Sequence, residues 1–346
     1  MILAGDVGGT NTRLAFFSVE GRRVKLRQED RFVNAGRHGL GDIVEEFLAG
    51  HGLRPELACF GVAGPVRQGR ILGTNLPWTV EAAELAARFG LGRVWLLNDL
   101  EANAYGIAML EASDLLLLQP GAANAGGNAA VISPGTGLGE AGLFWDGRQH
   151  IPFAAEGGHC DFGPGDELQT DLLRHLSRKH GHVSWERVLS GPGLVEIYDF
   201  LREVVGMNRA GSIPAAFDGP DRAASISSAG LAGACPASSK ALEIFVSLLA
   251  AEAGNLALKV MATAGVYVGG GIAPKIAEKL KGPGFIDAFR AKGRMAPLLE
   301  EIPVSLILDE QAALKGAAWC AALRAELVEQ GGAASRPPEP PARSRE

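Results

Sequence analysis

Glycine-rich turns carry the clearest chemistry in this chain. One reads GDVGGTN over residues 5–11 and another SPGTGLG over residues 133–139. Glycines let a backbone approach phosphate oxygens closely, and successive N–H groups in a tight turn form an anion-binding concavity. Residues 9–21 can be laid without gaps over residues 135–147, with the Gly-Thr pairs, Ala15 and Ala141, and the closing acidic-glycine turns coinciding. Either turn alone is as readily a plain loop. In register, each behind a short apolar strand, the pair suits two domains that hold a nucleotide triphosphate between them. No lysine follows the first glycines as a Walker loop requires. Residues 137–142 also fit G-x-G-x-x-G, but that dinucleotide fingerprint must open a helix, and the Asp146-Gly147 turn interrupts it.

Elements must present these turns. At 346 residues the chain exceeds what one hydrophobic core usually organises, so about two domains are expected. Residues 1–4 and 14–19 read as strands flanking a turn over 5–11, and residues 129–132 as the strand before the later turn. Residues 94–97 form a short apolar strand and a helix follows from Leu100, which puts Asn98 and Asp99 at a strand-to-helix turn, the cleft edge of an α/β domain. Residues 114–119 cross into the second domain. Ser184 reads as an N-cap with Glu186 in a first helical turn. Residues 241–262 form a long buried helix, 266–268 a strand before another glycine turn, and 312–328 a last helix. Beyond Gly332 the composition turns to proline and charge, which predicts a disordered tail over 332–346.

Composition narrows the classes. With 47% hydrophobic and 21% charged residues the chain reads as an ordinary globular protein. A net charge of -6 argues against a nucleic-acid partner. Cys59, Cys160, Cys235 and Cys320 are scattered without a C-x-x-C pair, so structural zinc and a disulfide framework lose support. No signal peptide is visible, no uncharged apolar stretch reaches the ~18 residues of a membrane span, and a cytoplasmic location is the expectation.

The motifs GDVGGTN, LND (residues 97–99), SPGTGLG, EGGHCDF (156–162), ERVLSGPGL (186–194) and VGGGIAP (268–274) together resemble the bacterial glucokinase family, in the family's order and over about residues 2–321. The resemblance implies an α/β, two-domain actin-like ATPase (ribonuclease H-like) fold with an interdomain cleft. It implies a small domain over 1–112, to which a C-terminal helix at about 310–328 returns, and a large domain over 113–309. A C-x-C-G-x-x-G-C run marks the zinc-binding branch; here Gly158-His159 is followed only by Cys160, so the resemblance is to the zinc-free branch. The implied activity is transfer of the γ-phosphoryl group of ATP, with Mg²⁺, to the 6-hydroxyl of glucose, by a cytoplasmic homodimer without membrane attachment. A kinase for another hexose or an amino sugar remains an alternative. A non-catalytic sugar sensor is disfavoured because a hairpin starting at residue 5 leaves no room for a preceding DNA-binding helix-turn-helix.

Roles follow from that chemistry. Asp99 is the candidate general base for the sugar 6-hydroxyl, with helix capping as its structural alternative, and Asn98 pairs a neighbouring hydroxyl. Glu156, His159 and Glu186 read the remaining hydroxyls. Gly5, Asp6, Val7, Gly8, Gly9 and Thr10 make the first phosphate hairpin, with Asp6 orienting hydrated Mg²⁺. Gly135, Thr136 and Gly137 make the second, and Gly269 and Gly270 flank the adenosine. Glu140 departs from the apolar residue of some relatives: its side chain either turns away from the phosphates or helps hold metal.

Overall fold

The computed structural model describes residues 1–71, 76, 78–207, 219 and 221–330; the tail at 332–346, expected to be disordered, lies outside them. Strands β1 (Ile2–Val7) and β2 (Asn11–Glu20) form an antiparallel hairpin that β3 (Arg23–Val33) extends. Helix α1 (Leu40–His51) then crosses to β4 (Leu57–Val62), parallel to β1 on its other side. A small sheet of β5 (Val66–Arg67), β6 (Arg70–Ile71) and β7 (Val80–Glu81) leads through α2 (Ala82–Phe89) to β8 (Arg93–Asn98). The resulting order is β3-β2-β1-β4-β8.

The second sheet repeats this plan. Strands β9 (Leu115–Gln119), β10 (Ala129–Pro134), β11 (Leu138–Trp145) and β12 (His150–Ala155) come first, and β13 (Gly265–Val268) and β14 (Val304–Ile307) complete the order β12-β11-β10-β13-β14-β9. As in the first sheet, two antiparallel pairings lead into two parallel ones, and β9 adds an antiparallel edge. The aligned glycine turns are therefore the visible part of a repeated five-strand unit. In one copy Val7 pairs with Thr12 across the turn, in the other Pro134 pairs with Leu138, so the second turn is one residue shorter.

Helices cover both faces of each sheet, which is why the central strands read as continuous apolar runs. Phe16, Ile43, Phe47 and Phe60 pack α1 onto one face of the first sheet. On the other face Ile2, Ala4, Phe17 and Cys59 meet the C-terminal helix Ala312–Gln330 through Leu314, Ala318 and Trp319. The helix Asp99–Ile107 (α3) lies between the sheets: Ala102 belongs to this cluster, while Ala104 packs with Val131, Ala141 and Leu143 of the second sheet. Four longer helices follow β12, namely α4 (Glu167–His180), α5 (Gly191–Glu203), α6 (Arg222–Leu231) and α7 (Pro236–Val260). Among the described residues α7 alone is long and apolar enough to cross a membrane, and it is the buried spine of the second core.

Several sequence expectations move. The first strand continues to Val7, so Gly5, Asp6 and Val7 belong to β1 and not to the turn. Gly5 is needed there for packing, since a Cβ would stand 2.4 Å from Phe60 Cδ1. Helix α7 starts at Pro236, five residues before the expected start, with proline in its first turn where the missing N–H costs nothing. Ser184 stands at the N-cap of Trp185–Arg187, with Glu186 in the first turn, but the element is one 3₁₀ turn and Ser184 makes no side-chain capping bond; Ser190 caps α5, its Oγ accepting from Gly193 N at 3.1 Å.

Candidate active site

The strand β8 ends and α3 begins within one residue, and that junction sets Asp99 near Asp6 and Glu156. Asn98, not Asp99, is the N-cap: its Oδ1 accepts from Leu100 N at 2.9 Å and Glu101 N at 3.4 Å, while its Nδ2 donates to Gly64 O at 3.2 Å. Asp99 Oδ1 accepts the Leu100 N–H at 2.9 Å. The capping role weighed against catalysis for Asp99 thus falls chiefly to its neighbour. Burial, then the charges of Asp6 and Glu156, push the Asp99 carboxyl up to about 7 against the pull of the Leu100 N–H. A carboxylate of that basicity is suited to accepting a proton near neutral pH.

Asp6 stands at the end of β1, paired in register with Arg13. Burial raises its carboxyl, opposed by Arg13 and assisted by Glu29. Arg13 is itself held by Glu29, with Nε–Oε1 at 2.8 Å, and donates to Glu310 O at 2.6 Å, tying the approach to the C-terminal helix onto this hairpin. Beyond Asp6 the turn is clamped by Asn34, which sequence reasoning missed. Thr12 Oγ1 donates to Asn34 Oδ1 at 2.8 Å, Asn34 Nδ2 donates to Gly8 O at 2.6 Å, and Asn34 N donates to Thr10 O at 2.9 Å. Gly9 and Thr10 are left exposed at the tip. A lone asparagine after a strand gives no sequence signal that separates such a clamp from a surface loop.

The other turn is closed by Gly135 N donating to Gly137 O at 2.7 Å. Glu186 Oε2 accepts from Leu138 N at 3.0 Å, and a Cβ on Gly137 would stand 2.3 Å from that oxygen. Glu186 therefore touches the phosphate turn directly, a contact its separation in sequence does not suggest. Gly270 adopts φ +81°, where a Cβ would meet Pro134 O at 2.4 Å, so the third glycine run lies against the end of β10. Beside it Ser133 Oγ and Asn103 Oδ1 are buried without a hydrogen-bond partner among the described residues. Such open polar atoms beside a glycine cradle fit a polar ligand, and Asn103 brings α3 to it from the other domain.

Glu156 precedes and His159 ends a 3₁₀ turn, Gly157–His159, held by His159 N donating to Glu156 O at 3.0 Å; both residues are exposed. The charge of Glu156 acts on Asp99, so this turn lies near the junction of β8 and α3. Glu140 is buried, 1% exposed, beneath Gly157 and beside Glu252 of α7.

Two α/β domains of like topology, each offering a glycine-tipped hairpin, with a basic carboxylate at the junction between them, define an actin-like kinase architecture. The glucokinase family pattern matches residues 3–324. The glucokinase of Nostoc sp. is 40% identical over 338 residues, spanning 93% of this chain and 99% of that one. The crystal structure of a glucokinase from an Antarctic psychrotroph has a TM-score of 0.80 at 31% identity, covering 93% of this chain and 98% of that one. A ROK family glucokinase from Streptomyces griseus, in complex with glucose and AMPPNP, shares the fold with a TM-score of 0.62 at 23% identity, covering 93% and 99%. The chain belongs to the glucokinase family.

Proposed function

We propose that this protein is a glucokinase, transferring the γ-phosphoryl group of ATP to the 6-hydroxyl of D-glucose to give glucose 6-phosphate and ADP, with Asp99 as general base. The observation that carries the assignment of the base is the Asp99 carboxyl at the start of α3, where Asn98 is the N-cap, raised to about 7 near Asp6 and Glu156. Asp99 takes the proton of the 6-hydroxyl as its oxygen moves onto phosphorus, and the Leu100 N–H keeps the accepting carboxylate in place. Asn98 spends one amide hydrogen on Gly64 and offers the other to an adjacent hydroxyl. Glu156, His159 and Glu186 read the rest of the sugar.

The tips Gly8 to Thr10 and Gly135 to Gly137 present backbone N–H groups to the triphosphate, and Gly269 and Gly270 flank its adenosine. The Asp6 carboxylate beside the first tip would hold a hydrated Mg²⁺, which when bound would neutralise charge on the phosphates. We divide the chain into a domain over 1–112, with the C-terminal helix packed on it, and one over 113–309. A cytoplasmic homodimer is our working assembly, on the family expectation.

The pH profile tests the base. Since Asp99 works only when deprotonated, kcat/KM for glucose should fall below an apparent pKa near 7, losing about tenfold per pH unit on the acid side. A profile that stays flat down to about pH 5 would remove Asp99 from this role.

A further inference from the structure

Glu140 follows the second phosphate turn on β11, pairing with Ile132 on one side and Ala155 on the other. Its carboxyl lies under the turn that carries the sugar-reading residues: Oε2 stands 1.9 Å from the place of a Cβ on Gly157, and Oε1 has no hydrogen-bond partner among the described residues. Against it from α7 comes Glu252, which is fully buried. Glu252 Oε1 takes Lys259 Nζ at 2.9 Å and Oε2 takes Asn255 Nδ2 at 2.7 Å. Lys292 Nζ reaches Asn255 Oδ1 at 2.7 Å and Ala251 O at 2.8 Å. Two carboxyls in a buried site with one ammonium in direct contact cannot both ionise cheaply.

We propose that Glu140 is a positioning residue for the sugar: protonated, it lies uncharged against Glu252 under Gly157 and keeps the Gly157–His159 turn seated, and with it Glu156 and His159. The inference rests on the assignment of Glu156 and His159 to glucose. Burial and Glu252 push Glu140 up to about 7, against the pull of Lys259, so the proton is held on the acid side of neutrality and lost above it. The second negative charge then faces Glu252 with Gly157 directly above.

The test is the pH dependence of each Michaelis constant in wild type, Glu140→Gln and Glu156→Ala. In wild type the KM for glucose should rise severalfold from about pH 6 to about pH 8.5, while the KM for ATP stays level. Glutamine fills the same space without a charge to gain, so Glu140→Gln should hold the glucose KM near its acid value throughout. Glu156→Ala should raise the glucose KM at every pH; if it does not, the sugar assignment fails. If Glu156→Ala behaves as stated but Glu140→Gln keeps the wild-type rise, or shifts the KM for ATP equally, the positioning role alone is overturned. Should Glu140→Gln fail to fold, Glu252→Gln removes the same charge pair from the other side, and the same flattening is required of it.

Discussion

Asp99→Asn is expected to bind glucose as the parent does while losing about a hundredfold or more in kcat. Asparagine keeps the size of the side chain and an oxygen for the Leu100 N–H, which also has Asn98 Oδ1 at 2.9 Å, so α3 should start where it does now. What disappears is the basic oxygen. A thermal readout accompanies the kinetic one. A carboxyl whose folded pKa of about 7 lies above its ordinary value of 3.8 adds stability below the ordinary value and loses it as pH rises through 7. At about pH 8 the parent therefore bears the full cost of a charged Asp99 beside Asp6, and Asp99→Asn should melt higher there. Retention of more than about a tenth of the parental kcat would show that Asp99 is not the base.

The other large effect is expected far from the reacting atoms. The C-terminal helix crosses α3 so closely that a Cβ on Gly316 would lie 1.8 Å from Ala102 O and 2.5 Å from Gly106 N, and one on Gly106 would lie 2.1 Å from Ala312 O. Both neighbours are backbone, so no side chain can swing aside. Gly316→Val should cost about 3 kcal/mol, the upper end for an overpacked core, and lower Tm by several degrees. Because α3 carries Asp99 at its N-terminus and packs on both sheets, catalysis should fall with stability. Gly50→Ala, near the end of α1 with nothing within 4 Å of its Cβ, is the matched control and should be neutral or slightly stabilising. A melting temperature for Gly316→Val within about a degree of the parent would mean that this crossing does not hold the two helices together.

The fold was legible where a local pattern repeats or an apolar run is long. The aligned glycine turns announced a duplicated hairpin, and the apolar stretches around residues 94–97, 241–262 and 312–328 announced β8, α7 and the C-terminal helix, to within a few residues. Boundaries failed where glycine serves packing instead of turning: Gly5 looks like a loop residue and is in fact the gap that admits Phe60. Ser184 stands at the N-cap as read, but the segment after it closes into a single 3₁₀ turn without a side-chain cap, leaving Ser190 to start the longer helix.

At the site, the residue types that could do the chemistry were readable, and their mutual supports were not. Asn34 clamps the first hairpin from 26 positions away in sequence, and Glu186 reaches Leu138 N across 48. Contacts of that kind depend on how strands and turns are brought together, which no short window records. Glu140 is the sharpest case. Its sequence position beside the phosphate turn left its direction open, and strand alternation decides it: Glu140 shares its face with Leu138 and points toward α7, while Ala141 faces α3.

The most direct measurement is product analysis with the purified protein, ATP, Mg²⁺ and a panel of hexoses and amino sugars, following ADP release and the position of the new phosphate. A glucokinase built as described should form glucose 6-phosphate, with a higher kcat/KM for glucose than for any other sugar on the panel, and should release ADP far more slowly when sugar is omitted. Absence of glucose 6-phosphate, or a preference of more than about tenfold for a different hexose or an amino sugar, would contradict the account.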